Sequence, residues 1–557
     1  MNHFKEQAIC FDMEKPDWIK AKGYVHITPT LNIHNDWKKL YYKIKNKKFI
    51  STYAFYPLIY AEIKERKYKK IDKEKHSNNS LSGRTHLFKN KKDNTFKRTR
   101  KIRPLHYASH FDSLVYGYYA DILSKKYQEL LLNNKLLDDA VIAYRKIKVN
   151  ENSEEGKSTI HFAKEAFDEI SNRAKSENGI AALTFDIESF FSGLNHQFLY
   201  KKWCEVIQVS KLPKDHFNVF KACTNFRYIL RDDLRIKKTV GKKKVGFDEQ
   251  KLYRIRRDRG YKCFFKDNKD FREHIKQGKL KVYKNPFFKY NIDIKKKINI
   301  GIPQGLPIST VLANLYLLDF DRKLIDKLVI GKGAYYRRYS DDILIVCSIN
   351  EINEIKEFII EEIKNSFLGI SEAKTEQFIF KDLEFDKYRN KRLTSIKVDQ
   401  NESKINKPLI YLGFEFRGYN TVIKSTNLAR YYRRLLSVVK RRAKRATNNY
   451  GKNPYAKRAV YLNQIKKLYN APLKLEDGEH ADLKQRNRTR YRFEKNELGQ
   501  YELVLFSTSQ NKNSNYITYL KRCDKIFEKN LDNSFLKQLR KRKSIVHHSI
   551  KKHLNKR

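Results

Sequence analysis

The stretch RRYSDDILIV, Arg337 to Val346, sets two adjacent acids, Asp341 and Asp342, between an aromatic-rich segment and a run of large aliphatic residues. Carboxylates in such surroundings are costly unless a cation compensates them. A third acid, Asp186, lies in the alternating segment GIAALTFDIESFF, and the loop GIPQGLPIST separates it from the pair. A strand-end acid, a Gly/Pro loop feeding a helix and a hairpin-tip acid pair suit a site in which Asp186 and Asp341 share two Mg2+ ions, hard cations that favour carboxylate oxygen. In two-metal phosphoryl transfer one ion activates an attacking hydroxyl and the other holds the triphosphate and the leaving oxygen. Both ions need carboxylates on a rigid backbone.

Strands would supply that rigidity. In GIAALTFD, Leu183 and Phe185 fall on one face and Thr184 and Asp186 on the other. YYRRYSDDILIV reads as two strands joined by a tight turn that exposes Asp341 and Asp342 together. PLIYLGFEFRGYNTVIKS reads as a second hairpin with RGYN as its turn. In NLARYYRRLLSVVKRRAKRA, Leu428, Tyr431, Leu435 and Val439 recur at helical spacing, while Arg430, Arg433, Arg434 and Arg441 cover other faces. Before these elements come an aromatic and Lys-rich amino-terminal stretch that ends in the loop-like KHSNNSLSGRTH, and a basic segment broken by Pro104 that passes into a helical pattern. Residues of about 225–298 are strongly basic and read as an insertion, and the last segments, YITYLKRCDKIFEKN and FLKQLRKRKSIVHHSIKKHL, read as helical.

Composition narrows the partners. The 557 residues carry 119 Lys and Arg against 63 Asp and Glu, a formal charge of +56, which is hard to keep compact without a polyanion. Aromatic residues make up 13% and are interleaved with the cations, which suits base stacking, so nucleic acid is the expected partner. The six cysteines, Cys10, Cys204, Cys223, Cys263, Cys347 and Cys523, form no CxxC pair, so neither a zinc site nor a disulfide framework is indicated and isolated thiols fit a cytoplasmic protein. The start MNHFKEQAIC has no apolar signal core, and no run approaches a bilayer span, so no membrane is expected.

Over about residues 95–445 the motifs, taken in order, resemble the reverse transcriptases. KIRPL from Lys101 looks like their fingers motif, FDIESFF like the first palm motif, GIPQGLPISTVLANLYL like the loop and helix that follow, YSDD like the Tyr-x-Asp-Asp signature, EAKTE like the segment after it, and YLGF like the primer-gripping hairpin. The resemblance implies an α+β right-hand polymerase: amino-terminal helical extension (1–94), fingers (95–180), palm (181–425, with the basic insertion), thumb (426–470) and a helical carboxy-terminal region (471–557). It implies metal binding by Asp186, Asp341, Asp342 and the Ile187 carbonyl, with Asp342 often in a lesser part, and Lys374 as proton donor to pyrophosphate. Lys101 and Arg103 would neutralise the incoming triphosphate, and Gln304 and Gly305 would let backbone approach the nascent base pair. Phe191 would stand where a ribose 2′-hydroxyl must fit, selecting deoxynucleotides, with Phe190 the other candidate for that place. Tyr339, Leu412, Gly413 and the four arginines of the basic helix would contact nucleic acid.

No integrase, RNase H or HNH motif is apparent, and the segment RKIRPLHYASHFDSLVYGYYADIL, with its flanking regions, looks like bacterial defence-associated reverse transcriptases of the abortive-infection and unknown-group class. That likeness implies DNA synthesis during phage infection with an RNA template or noncoding RNA partner, dNTPs as substrates, a DNA product, and self-association as in several members. Members also differ in whether they extend without a template or prime from a protein hydroxyl, and 36 tyrosines offer no unique priming residue. An intron-type protein that binds RNA and assists splicing is the reading of another kind.

Overall fold

The computed structural model describes residues 13–66, 69–70, 84–85, 87–89, 96–98, 100–240, 243–248, 250, 254, 263–291, 296–384, 391–399, 402–452, 460, 462–470, 488–496, 500–508 and 515–554. In chain order, strands β1 (Leu58–Arg66) and β2 (Arg100–Tyr107) precede helices α1 (His110–Leu132) and α2 (Thr159–Ser176) and strand β3 (Ile180–Asp186). Short strands β4 (Arg227–Leu230), β5 (Tyr283–Lys284), β6 (Phe288–Asn291) and β7 (Lys296–Asn299) follow, then helices α3 (Ser309–Tyr316) and α4 (Leu318–Leu324) and strands β8 (Tyr335–Tyr339) and β9 (Asp342–Cys347). After helix α5 (Ile352–Asn365) come strands β10 (Glu376–Glu384), β11 (Lys391–Val398), β12 (Ser403–Ile405), β13 (Leu409–Tyr411), β14 (Phe414–Phe416) and β15 (Thr421–Ile423), and helix α6 (Ser425–Lys452).

The central sheet has the order β8-β9-β3-β10-β11-β12, with every neighbouring pair antiparallel. Its middle strands are apolar at consecutive positions because protein covers both faces. Ile343, Ile345 and Cys347 of β9 and Ala181, Leu183 and Phe185 of β3 enter one core, shared with Leu312 and Leu315 of α3 and Ile355, Ile359 and Ile363 of α5. Leu344, Val346, Ile180 and Ala182 enter a second core, with Ile160, Ala163, Phe167 and Ile170 of α2. The spacing of those α2 residues puts them on one helix face. His161 accepts a hydrogen bond from the Ser158 backbone N–H at 3.0 Å, which helps to close the helix start.

The second sheet has the order β5-β4-β1-β2. The amino-terminal extension holds helices at Ile33–Lys45 and Lys47–Thr52, and it also contributes a strand to the expected fingers region, because β1 pairs with β2 from Ile59 to Arg66. The basic segment of about 225–298 is not wholly an insertion. Its β4 runs parallel to β1, and Ile229, Phe265, Phe271 and Leu280 form a core with Ile27. These apolar residues are scattered in short groups through a strongly basic stretch, so local composition hides them. Pro104 lies on β2, an edge strand, where the missing N–H is tolerated.

The stretch expected as one hairpin is a three-stranded meander, β13-β14-β15. Besides the turn at RGYN, a two-residue turn joins Tyr411 to Phe414, with Leu412 (φ 44°) and Gly413 (φ 94°) both left-handed. Such a turn matches strand twist but is rarely formed with leucine, so the pattern did not announce it. Helix α6 buries Leu435 and Val439 against Ile465, Tyr469 and Val546. The carboxy-terminal region, read as helical, also holds an antiparallel ladder between Arg488–Lys495 and Tyr501–Thr508. The expected loop at KHSNNSLSGRTH falls almost wholly outside the described residues. No helix among the described residues is long and apolar enough to cross a membrane.

Three histidines lie inside this frame. His26 and His106 are fully buried and His110 nearly so. Burial holds their pKa values down, at about 3 for His26 and about 4 for each of the others. In the unfolded chain they titrate near the ordinary 6.5, so below that pH the unfolded state binds protons that the folded state refuses. Stability is therefore complete above about pH 6.5 and is lost as pH falls toward 4. Asp112, raised by burial to about 6, acts in the opposite sense and offsets part of the loss. Thermal unfolding followed across pH 4–7 should show a falling midpoint below pH 6.5, with a shallower fall in His106→Phe.

Candidate active site

The carboxylates meet where three chain segments come together. Strand β9 pairs with β3 in a register that sets Asp342 opposite Asp186, and residues directly opposite on an antiparallel pair project to the same face. Ser340 and Asp341 form the two-residue turn between Tyr339 and Asp342, and Ser340 is left-handed, with φ 61°. Ile187, directly after Asp186, donates its N–H to the Asp341 carbonyl at 3.2 Å, which fixes the turn against the end of β3. The Asp186 carbonyl in turn accepts from the Ser371 N–H at 2.9 Å, bringing the EAKTE segment alongside. Lys374 in that segment forms an ion pair with the Asp186 carboxylate. The sequence expectation that Asp341 and Asp342 share one exposure is modified: Asp342 has an open face, and Asp341 is half-buried.

Both acids of the pair hold their protons more tightly than ordinary carboxyls. Burial raises Asp341, and the nearby Asp186 charge adds to it. Asp342 is lifted to about 7, by burial first and then by the charges of Asp341 and Asp186. The open face of Asp342 coexists with this desolvation because protein crowds its other side. Like charges held at close range on a rigid ladder favour a cation between them. The donors are all oxygen, the chemistry of Mg2+. Among the described residues, no group of three or more His, Cys, Asp or Glu side chains already converges as a metal site.

Beneath the turn lies a buried polar network that the sequence reading missed. Arg338 and Asp321 have no solvent exposure and pair bidentately, Nε to Oδ1 at 2.7 Å and Nη2 to Oδ2 at 2.5 Å. Tyr336 donates to the same carboxylate at 2.5 Å. The remaining guanidinium nitrogen, Nη1, donates to the Ser340 carbonyl and to Asn314 Oδ1, each at 3.3 Å. Burial works against the charge of Arg338, and Asp321 overcomes it and raises the guanidinium pKa. The turn that carries Asp341 is thus held from below by a residue three positions before it. One signal was present in the sequence: Asp321 lies among the apolar residues of LANLYLLDFDRKL.

The nucleotide-side candidates lie on other segments. Phe190 is buried, whereas Phe191 is partly open and its carbonyl accepts from Ile302 N–H at 2.8 Å. Gly305 has φ 120°, and a Cβ there would stand 2.5 Å from the His106 carbonyl, so only glycine allows this loop to meet β2. Gln304 accepts from the His106 N–H at 2.8 Å and keeps a partly exposed side chain. Lys101 and Arg103 lie on β2, but Arg103 pairs with Glu65 at 2.7 Å rather than facing the acids alone. Arg430 of α6 pairs with that same carboxylate, so Glu65 joins the second sheet to the basic helix. Arg433, Arg434 and Arg441 are exposed on α6. The Tyr339 ring lies 6.1 Å from Tyr144, which the sequence reading did not single out. Leu412 and Gly413 form the turn already described, where the Gly413 carbonyl accepts from Lys424 at 3.0 Å.

Residues 255–416 match the family described as reverse transcriptase (RNA-dependent DNA polymerase). The chain carries a reverse transcriptase domain. The match takes in the PQG loop, the YSDD turn, Lys374 and the Leu412–Gly413 turn, while Asp186 and Phe191 precede it, Asp186 joining it through the sheet and Phe191 through the Ile302 N–H. The six-stranded sheet, its covering helices and the following basic helix make up the right-hand polymerase fold. No curated protein matches the chain. Among solved structures it is similar to telomerase from Candida albicans in complex with a fragment of telomeric RNA, at 13% identity, covering 62% of this chain and 47% of that one, with a TM-score of 0.30. It is also similar to apo telomerase from Candida tropicalis, at 12% identity, covering 73% and 56%, with a TM-score of 0.31. The chain thus spans about half the length of these structures.

Breaking a fully buried ion pair by removing one partner costs about 3–5 kcal/mol, whereas replacing both by apolar residues leaves no stranded charge. Arg338→Met should lower stability in urea denaturation by about that much. Arg338→Met combined with Asp321→Leu should regain most of it, while still misplacing the Ser340–Asp341 turn.

Proposed function

We propose that this chain is an RNA-directed DNA polymerase that adds deoxynucleotides to a primer end, with Asp186, Asp341 and Asp342 holding two Mg2+ ions. What carries this reading is the register that sets Asp342 opposite Asp186, with Asp341 in the adjoining turn, and the match of residues 255–416, which hold the acid pair, to the reverse transcriptase family. The bound ions would supply an activated primer hydroxyl and charge neutralisation at the triphosphate. The protein's own residues do the rest. Asp186 and Asp342 present carboxylates from adjacent strands, and the Ile187 carbonyl adds a further oxygen. Lys374, paired with Asp186, is close enough to the acids to deliver a proton to departing pyrophosphate. Arg103 and Lys101 neutralise the triphosphate, which requires Arg103 to exchange Glu65 for phosphate oxygen. The partly open Phe191 ring excludes a ribose 2′-hydroxyl, and Gln304 and Gly305 offer close backbone approach to the new base pair.

In this reading the β1–β2 sheet serves as fingers, the six-stranded sheet as palm and α6 as thumb, with Arg430, Arg433, Arg434 and Arg441 tracking duplex phosphates and Tyr339, Leu412 and Gly413 contacting the primer side. We further assign the activity to antiphage defence in the bacterial cytoplasm, with a noncoding RNA as partner. Support for this comes from the likeness of the segment around Arg103 to defence-associated enzymes, from the formal charge of +56, and from five described cysteines that are all buried and in no disulfide.

The test is incorporation of each labelled dNTP and rNTP by the purified protein with Mg2+, before and after RNase, beside Asp341→Ala/Asp342→Ala. Only dNTPs should be incorporated, the double variant should fall to background, and RNase should abolish synthesis; incorporation that survives RNase would mean extension without an RNA template. Phe191→Ala should admit ribonucleotides, whereas Phe190→Ala should lower stability without changing sugar choice.

A further inference from the structure

The basic segment contains a two-stranded ribbon whose surface the polymerase reading leaves unexplained. Strand β6 pairs with β7, with Phe288 opposite Asn299, Lys289 opposite Ile298 and Tyr290 opposite Lys297. Phe288 and Tyr290 therefore share one face, and they are 52% and 54% exposed. Two large rings so open to water, side by side on a ribbon, are unusual unless something else covers them. Ile298, on the other face, is 37% exposed, so that face too is open at its described apolar residue.

Two residues along a strand span about 6.8 Å, roughly twice the 3.4 Å separation of stacked bases. Two rings carried at that spacing on one strand face leave room for one planar base between them. The Lys297 ammonium lies 4.6 Å from the centre of the Phe288 ring, so positive charge of the kind a phosphate requires stands beside the rings. Residues 288–299 contain four lysines, Lys289, Lys295, Lys296 and Lys297, against the single acid Asp293. That balance attracts a polyanion and repels the same face of a second copy.

The root of the ribbon is tied to the candidate active site. Asn285 Nδ2 donates to the carbonyls of Thr224 at 3.0 Å and Ile300 at 2.9 Å, and the Ile300 N–H donates to Phe287 at 3.2 Å. The next two residues leave the ribbon for the nucleotide-side segments: Gly301 N–H bonds Leu194 at 2.7 Å and Ile302 N–H bonds Phe191 at 2.8 Å. Gly301 has φ 73°, and a Cβ there would stand 2.5 Å from the Ser192 carbonyl, so the junction is closely packed. A strand gripped by the ribbon is thereby held at a fixed offset from Phe191 and Gln304.

We propose that the β6–β7 ribbon is a stacking clamp for single-stranded nucleic acid, in which Phe288 and Tyr290 take an unpaired base between them and Lys297 meets its phosphate. Resting on the polymerase reading, the strand it holds is the unpaired template ahead of the site. Base stacking on aromatic side chains is strong enough that loss of both rings weakens binding by about 100-fold.

The test is fluorescence anisotropy of the full chain with 20-nucleotide oligo(U) and oligo(dT) at several salt concentrations. Phe288→Ala/Tyr290→Ala should lose about 100-fold in affinity with an unchanged salt slope, and Phe288→Trp/Tyr290→Trp should keep the parent affinity. Lys297→Ala should reduce the slope by about one. Equal loss on both oligomers marks a base-stacking clamp blind to sugar, and loss on oligo(U) alone marks an RNA clamp. On primed templates the alanine variant should extend normally across a one-nucleotide overhang and poorly across a ten-nucleotide one. Unchanged affinity of the alanine variant overturns the proposal, and unchanged affinity with altered sedimentation assigns the face to a second copy instead. If the parent incorporates no nucleotide but its binding still depends on the rings, the polymerase reading fails and the clamp stands.

Discussion

The buried pair Arg338–Asp321 is the constraint on which the candidate active site depends. A charge with no solvent exposure persists only where geometry satisfies it almost completely, and here one guanidinium reaches the Asp321 carboxylate, Asn314 and the Ser340 carbonyl. Asp321 belongs to α4 and Arg338 to β8, so the pair ties the helix layer to the edge of the sheet. Its second consequence is directional. The same guanidinium that neutralises Asp321 holds the turn that carries Asp341, so the stability of the core and the placement of the acid rest on one side chain.

Above that anchor the sheet divides two cores. Alternate residues of β3 and β9 go to opposite sides, which makes any slip of one residue between these strands exchange both hydrophobic sets. The register that brings Asp342 opposite Asp186 is therefore set by apolar packing along the whole ladder, not by the acids, which repel one another. Repulsion built into a rigid frame is what a cation-binding site requires, because the frame prevents the carboxylates from moving apart. Lys374 supplies part of the compensation from a neighbouring segment.

The excess positive charge is distributed differently. Arg430 and Arg103 converge on Glu65, others cover exposed faces of α6, and Lys297 of β7 lies over the open Phe288 ring. A polyanion lying along these surfaces would relieve their mutual repulsion, and so the charge of the chain and its shape point to the same class of partner.

Much of the fold was legible in the chain itself. Period-two alternation placed β3, the pattern YYRRYSDDILIV placed β8 and β9 as two strands about a turn, and the spacing of Leu428, Tyr431, Leu435 and Val439 placed α6, because backbone geometry ties each pattern to one element. The acids, the PQG loop and the aromatic pair Phe190–Phe191 were visible as residue types at suggestive positions. Local sequence could not disclose that β1 belongs beside β2 and β4, that Asp321 meets Arg338, or that Glu65 gathers Arg103 and Arg430, since each joins segments whose separation carries no periodic signal. Phe190 and Phe191 were equivalent by composition, and only packing buried one and left the other partly open. The sequence determined which elements form and which chemical groups they carry, because those follow from neighbours along the chain; tertiary structure alone decided which groups meet, because that follows from how apolar faces close over one another in space.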